Sequence, residues 1–211
     1  MTPEEFTERV REDNRTALSR LGSSKALYAD TRGEMDAEPV LRAAAAAERA
    51  AHETFAAWAD SEKQRSDSAA EAFRETAAEE RDHYETVLAE LDANAIDVED
   101  VPAIQRYLRD LDETVERAGG LVGRTLAAEK SKEQLVGFFV GQADPQTSRT
   151  FRGIGDDLDA QLDRGRDLLA EVCDHEDWER ALDAASGAIQ AAYEEYTERL
   201  ESMGVNPKPV C

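Results

Sequence analysis

Apolar residues recur at steps of three and four along most of this chain, whereas strict alternation of apolar and polar residues never persists. This spacing is typical of amphipathic α-helices. It predicts an all-α protein with seven helices, at 3–21, 37–62, 67–93, 101–118, 121–143, 146–172 and 175–203. The segment 22–35 has room for one further short helix, and 205–211, which ends in Cys211, is predicted to be an extended tail.

Short turns predict how these helices pair. Lys63 to Ser66 join 37–62 to 67–93, and Asp144-Pro145 join 121–143 to 146–172, so each pair should form an antiparallel hairpin. Residues 101–118 would span roughly 27 Å as a helix and cross the length of the bundle, with Gly119-Gly120 at the corner. The predicted organisation is an N-terminal helical segment (1–36), a four-helix core (37–172) and a C-terminal helix with its tail (173–211).

Two carboxylates and a histidine fall on the apolar stripes of the first hairpin. Glu48 lies between Ala44 and Ala51, and Glu80 precedes His83 by one helical turn on the stripe of 67–93. Glu48 lies sixteen residues before the turn centre near residue 64 and Glu80 lies sixteen after it. An antiparallel hairpin would bring both to the same height, so we expect Glu48, Glu80 and His83 to converge in the core.

The helix 121–143 is expected to contribute more carboxylates. Leu126, Val136 and Val140 define its predicted stripe, and Glu129 and Glu133 fall on it. Buried ionisable groups cost several kcal/mol each unless they are paired or bind a metal. A divalent cation is the simplest compensation, and oxygen-rich ligands favour iron or manganese. Lys132 is the alternative, because a lysine paired with a core carboxylate would replace the metal.

The motif Glu48-x-x-Ala51-x-x-x-Phe55, followed by Glu80-x-x-His83 and an isolated Glu129, resembles the rubrerythrin branch of the ferritin-like superfamily. The resemblance implies a ferritin-like four-helix bundle over 37–172. In that family, one Glu from each of two helices and a Glu-x-x-His from each of the other two hold a di-iron centre that reduces peroxide or dioxygen. An external electron donor would be needed, because the chain has no paired CxxC segments for a rubredoxin-type iron.

The fourth core helix departs from that pattern. Its stripe is apolar, with Phe151, Ile154, Leu158, Leu162 and Leu169, and no second Glu-x-x-His occurs. Only Asp157 and Gln161 remain to complete a second iron site, and with Glu133 they are the weaker candidates.

Two hypotheses therefore stay open. In the first, the protein binds iron or manganese through Glu48, Glu80, His83 and Glu129. It then reduces peroxide or dioxygen, as in the response to oxidative stress, or takes part in iron handling. The second is a degenerate ferritin-like bundle without metal, which acts as a structural or interaction protein. If Glu80 is an unpaired buried carboxylate, Glu80→Leu should leave the metal-free bundle as stable or more so. A large loss of stability would instead indicate that Glu80 is paired with Lys132 or Arg124.

The C-terminal helix 175–203 bears on oligomerisation. It carries Leu182, Ala185 and Ile189 on one stripe, so it should pack on the bundle or on a second subunit. A homodimer or higher homo-oligomer is expected.

Charge and composition indicate which partners the protein can bind and in which compartment it is expected. Forty-seven acidic and 25 basic residues among 211 leave a formal charge of −22, which argues against nucleic-acid and anionic-membrane partners. Such acidic chains resemble proteins of salt-loving archaea. No apolar run approaches the roughly 20 residues that span a bilayer, the N-terminus is acidic, and two isolated cysteines suit a reducing compartment. A cytoplasmic protein is therefore expected.

Overall fold

The computed structural model describes residues 1–97 and 100–207. Over these residues the chain forms nine α-helices and no strand. This confirms the predicted all-α class, although the apolar pattern predicted seven helices and room for one more short helix at 22–35. They are α1 (Pro3–Asp13), α2 (Arg15–Leu21), α3 (Ser24–Asp30), α4 (Ala37–Glu62), α5 (Asp67–Glu90), α6 (Ala103–Arg109), α7 (Thr114–Gly141), α8 (Pro145–Val172) and α9 (Asp177–Ser202). The last four residues of the predicted tail, Cys211 among them, lie outside the described ranges.

Both predicted hairpins are present. The Ser66 hydroxyl caps α5 by accepting a hydrogen bond from the Ala69 amide at 3.2 Å, close behind the end of α4. The Asp144 carboxylate caps α8 in the same way, and Ala143 before it adopts a left-handed φ of 57° that reverses the chain. Each N-cap begins a helix within a few residues of the end of the preceding one. The helices α4 and α5 are therefore neighbours, as are α7 and α8.

The crossover between the hairpins differs from the prediction of one helix at 101–118. The short α6 ends at Arg109, and α7 begins at Thr114 behind a capping box formed by Glu113 and Glu116. Gly119 and Gly120 therefore lie inside α7 and do not form a corner. The predicted helix 3–21 is also divided, at Asn14, whose side chain bonds the Val10 carbonyl and the Ser186 hydroxyl.

Ion pairs between helices establish the directions of the four long core helices. Glu62, at the C-terminal end of α4, pairs with Arg117 near the start of α7, and Glu48, earlier on α4, pairs with Lys132 further along α7. The two helices α4 and α7 are therefore antiparallel. Because α4 is also antiparallel to α5, α5 and α7 run in the same direction. The connection through α6 must therefore travel the length of the bundle, as the crossover expected from the resemblance requires.

The core of the four-helix bundle consists of two apolar clusters with a polar layer between them, and a third, smaller cluster joins α3 to α9. One cluster contains the aromatic residues Phe55, Trp58 and Phe73, and the other contains Phe139 and Phe151. Glu48 and Glu80 lie between the two clusters along α4 and α5. The predicted stripe of α8 is buried throughout.

The α9 helix packs along α7 and buries the stripe that the sequence analysis singled out, including Leu182, Ala185 and Ile189. This surface is thus covered by the chain itself. Within the described ranges, no helix combines the length and hydropathy that crossing a bilayer requires.

Candidate functional site in the bundle core

Three potential metal ligands meet in the polar layer. Glu48 comes from α4, and Glu80 and His83 come from consecutive turns of α5; all three are buried. One ligand-capable atom from each lies within 4.8 Å of the others. The structure therefore brings together the residues for which the sequence predicted convergence, because an antiparallel hairpin places residues equidistant from its turn at one height.

Two buried cations from α7 occupy the same layer. The Arg124 guanidinium holds Glu80 with two parallel hydrogen bonds, Nη1 to Oε1 at 2.6 Å and Nη2 to Oε2 at 2.7 Å. The Lys132 Nζ lies 2.5 Å from Glu48 Oε1, and Arg124 Nη2 lies 3.8 Å from the second Glu48 oxygen. The exposed fractions of the Arg124 and Lys132 side chains are only 5% and 6%. Two negative and two positive charges thus balance.

The α8 helix adds polar partners to this balanced layer. Gln161 Nε2 donates to Glu80 Oε1 at 2.7 Å, and Gln161 Oε1 accepts from Arg124 at 3.2 Å. His83 Nε2 lies 3.0 Å from a carboxylate oxygen of Asp157, whose side chain is 58% exposed. Gln161 therefore supports the arginine–glutamate pair, and Asp157 orients the imidazole from the edge of the bundle.

The charge state of Glu80 follows from its surroundings. Burial alone would raise the pKa of its carboxyl, but Arg124, with further help from His83 and Glu48, lowers that pKa from 4.5 to about 2. For Arg124, burial would lower the pKa of the guanidinium, yet the Glu80 and Glu48 carboxylates raise it. Both partners are ionised at neutral pH, so Glu80 and Arg124 form a true buried ion pair.

Two predicted ligands of α7 lie outside the layer. Glu129 is partly exposed and is bound by Arg11 of α1 at 3.2 Å, while Glu133 lies at the surface in a pair with Lys130. Their predicted inward placement is wrong, as is that of Val140, which is 55% exposed. The stripe was misread because the first half of α7 is buried around its whole circumference, which removes the periodicity there.

Arg124 was not among the predicted metal ligands; it was one of two residues, with Lys132, considered as a structural partner of Glu80. A signal for it was available: Arg124 and Gln161 lie at similar distances on either side of the turn at Ala143-Asp144. The height comparison that brought Glu48 and Glu80 together would have placed them at one level, and the structure shows that they are hydrogen-bonded.

Comparison with known families adds a finding to this geometry. The family model described as Rubrerythrin matches residues 39–157, more than half of the chain. The chain belongs to the rubrerythrin family. The matched range contains Glu48, Glu80 and His83 and also both cations that oppose them. Searches of curated proteins and of solved structures found no match.

Within this rubrerythrin-family bundle, the residues of the polar layer do not suit a two-iron centre. Among the described residues, only three carboxylate or imidazole side chains converge in it, Glu129 lies elsewhere, and Leu158 and Gln161 replace a second Glu-x-x-His. The carboxylates already face Arg124 and Lys132. A smaller candidate site for a single cation remains. His83 Nδ1 has no hydrogen-bond partner among the described residues, and the Glu48 oxygens are held by the ion pairs with Lys132 and Arg124 without a hydrogen bond of regular geometry.

Proposed function

We propose that this protein is a rubrerythrin-family bundle in which side-chain cations take the place of the metal centre, and that it acts as a metal-independent structural or binding protein. The observation that carries the proposal is the pair of buried contacts Arg124–Glu80 and Lys132–Glu48. This is the second of the two hypotheses raised by the sequence. It accounts for Leu158 and Gln161, since a site without metal does not need a second Glu-x-x-His.

Electrostatics supports this choice. Two ferrous ions would add four positive charges to a layer whose side-chain charges already cancel. Two unit charges 4 Å apart interact by about 4 kcal/mol at an effective dielectric constant of 20, so repulsion from Arg124 and Lys132 would oppose binding strongly. Moving either cation away would leave it without a partner in the core, which costs about 3–5 kcal/mol.

The second candidate function is the binding of a single iron or manganese ion. It is favoured by His83 Nδ1, which has no hydrogen-bond partner among the described residues, and by the convergence of His83 with Glu48 and Glu80, which could offer carboxylate oxygens. Such a site would require Lys132 to leave Glu48. It would support iron handling, and peroxide or dioxygen reduction would further need an electron donor.

Metal analysis and melting curves separate the two candidates. The protein is purified without chelator, and melting is recorded in concentrated salt with and without manganous ion, or ferrous ion under anaerobic conditions. We expect no stoichiometric metal and no metal-dependent rise in melting temperature. A ligand that binds only the folded state at 100 times its Kd would stabilise it by about 2.7 kcal/mol, which is readily measured.

A lysine variant tests whether Lys132 prevents metal binding at Glu48. Lys132→Gln removes the cation that faces Glu48, and Lys130→Gln removes a neighbouring cation paired at the surface with Glu133. We expect any manganese-dependent stabilisation to occur in Lys132→Gln and not in Lys130→Gln. A metal-dependent rise in the unmodified protein would overturn the metal-independent proposal in favour of the single-ion site.

A further inference from the structure

A cavity of about 230 Å³ lies beside the ion-pair layer, between α4 and α7, with α3, α6 and α9 around its other sides. Its wall on α4 is a run of small residues that includes Ala43, Ala44, Ala46 and Ala47. Facing them on α7 are Ala127 and Ala128. Alanine side chains end at Cβ, so the two helices leave open a space that larger residues would fill.

One side-chain oxygen of a residue in the cavity wall, Gln105 Oε1, has no hydrogen-bond partner among the described residues. Gln105 of α6 is 97% buried, being 3% exposed. Leaving a buried amide oxygen unsatisfied is unfavourable. A bound molecule with a hydroxyl or amide group could form a hydrogen bond to the amide of this side chain.

The charges around the cavity favour an uncharged occupant. Arg124 and Lys132 also line it, but their charges are neutralised by Glu80 and Glu48. Arg199 near the mouth is paired with Asp30 at 2.9 Å. Among the described residues that line the cavity, no cation is left unpaired to attract an anion, and the overall charge of −22 repels one.

We propose that this cavity binds a small, uncharged, mainly apolar molecule that carries one hydroxyl or amide group, with that group hydrogen-bonded to Gln105. The size is adequate, since an apolar cavity of about 150 Å³ accepts benzene. The alanine walls would contact the apolar body of the ligand. The proposal does not depend on whether the neighbouring layer binds metal.

Cyclohexanol is a suitable probe, and cyclohexanecarboxylate is its anionic counterpart. Each is titrated into the full chain in concentrated salt with chelator present, and NMR shifts of the Gln105 side-chain amide and the Leu135 methyl groups are followed. We expect saturable shifts with cyclohexanol and much weaker binding of the carboxylate. Nuclear Overhauser contacts from cyclohexanol to the Leu135 methyl groups should locate it in the unmodified protein.

Variants test the two halves of the proposed site. Ala47→Phe fills the cavity and should abolish binding, whereas Ala57→Phe, on the exposed side of the same helix, should not. Gln105→Leu should weaken cyclohexanol binding about fivefold to tenfold, the worth of one hydrogen bond of about 1–1.4 kcal/mol.

Three results would overturn the proposal. The first is no saturable shift in the unmodified protein, and the second is cyclohexanol affinity in Ala47→Phe and Gln105→Leu equal to that of the unmodified protein. The third is tighter binding of cyclohexanecarboxylate than of cyclohexanol. The location by nuclear Overhauser contacts uses no variant, so a misfolded Ala47→Phe protein would not leave the question open. Because chelator is present throughout, the result is independent of the manganese experiment.

Discussion

At the scale of single residues, Glu80 shows how one partner changes the meaning of a motif. Its spacing to His83 is what a metal ligand pair on one helical face requires. In the structure both of its oxygens accept hydrogen bonds from Arg124, and Gln161 donates a third. The planar guanidinium matches a carboxylate with two parallel donors, so an arginine can satisfy a buried glutamate without any metal.

The Glu80→Leu substitution is therefore expected to destabilise the metal-free protein by about 3–5 kcal/mol, because it leaves Arg124 buried without a partner. Of the two outcomes considered from sequence, the structure thus favours the one in which Glu80 is paired with Arg124 over the one in which it is an unpaired buried carboxylate. Replacing both partners, with Glu80→Leu and Arg124→Met together, should restore most of the stability. Urea unfolding at constant high salt measures all three proteins.

The matched control for this pair is Glu85→Leu, an exposed position on the same helix, which should change stability by less than about 0.5 kcal/mol. A single Glu80→Leu variant as stable as the unmodified protein would show that the arginine pair contributes nothing. A double variant no better than the single one would point to a role of Glu80 beyond Arg124.

At the scale of elements, α7 is joined to the first hairpin by three buried cations. Arg117 binds Glu62 at 2.6 Å near one end of the bundle, Arg124 binds Glu80 and Lys132 binds Glu48. Buried ion pairs add little net stability over apolar packing, but shifting the helix would leave charges unpaired. These pairs thus specify the alignment of the two hairpins, which apolar side chains alone would leave less defined.

The other side of α7 depends on glycine. A Cβ atom on Gly119 would overlap the backbone of Ala181 on α9, and one on Gly123 would overlap that of Ala185. We expect Gly119→Ala and Gly123→Ala each to destabilise the fold by about 1–3 kcal/mol, because the backbones of α7 and α9 would have to move apart. Gly137→Ala is the control on the same helix, since its Cβ would meet nothing within 4 Å. It should stabilise the helix by about 0.5–1 kcal/mol. Thermal unfolding compares the three, and equal effects at all sites would contradict close α7–α9 packing.

At the scale of the whole molecule, the net charge of −22 opposes the compact state. Most surface arginines are already paired with acidic neighbours, so the excess carboxylates must be screened by solvent ions. The Debye length falls from about 10 Å at 0.1 M salt to about 3 Å at 1 M. We expect the melting temperature to rise steeply over this range, equally with NaCl and KCl. A melting temperature independent of salt would show that self-repulsion does not limit stability.

The sequence by itself determined most helices and the height of the first two site residues, because helical periodicity and a short turn are local properties. Glu48, Glu80 and His83 could be placed from those two facts alone, and the stripe of α8 from Phe151 to Leu169 was identified in the same way. Turn chemistry at Ser66 and Asp144 likewise acts over a few residues.

Only the tertiary structure decided what neutralises the carboxylates. Arg124 is 44 residues from Glu80 along the chain, and its inward direction depends on α7 being covered on both sides, by the first hairpin and by α9. Full burial removes the amphipathic pattern, so Glu129 was predicted to face inward, and Arg124 could be named only as one of two alternative partners of Glu80. A metal ion and an arginine can both compensate a buried carboxylate, and contacts between distant helices determine which of them lies beside it.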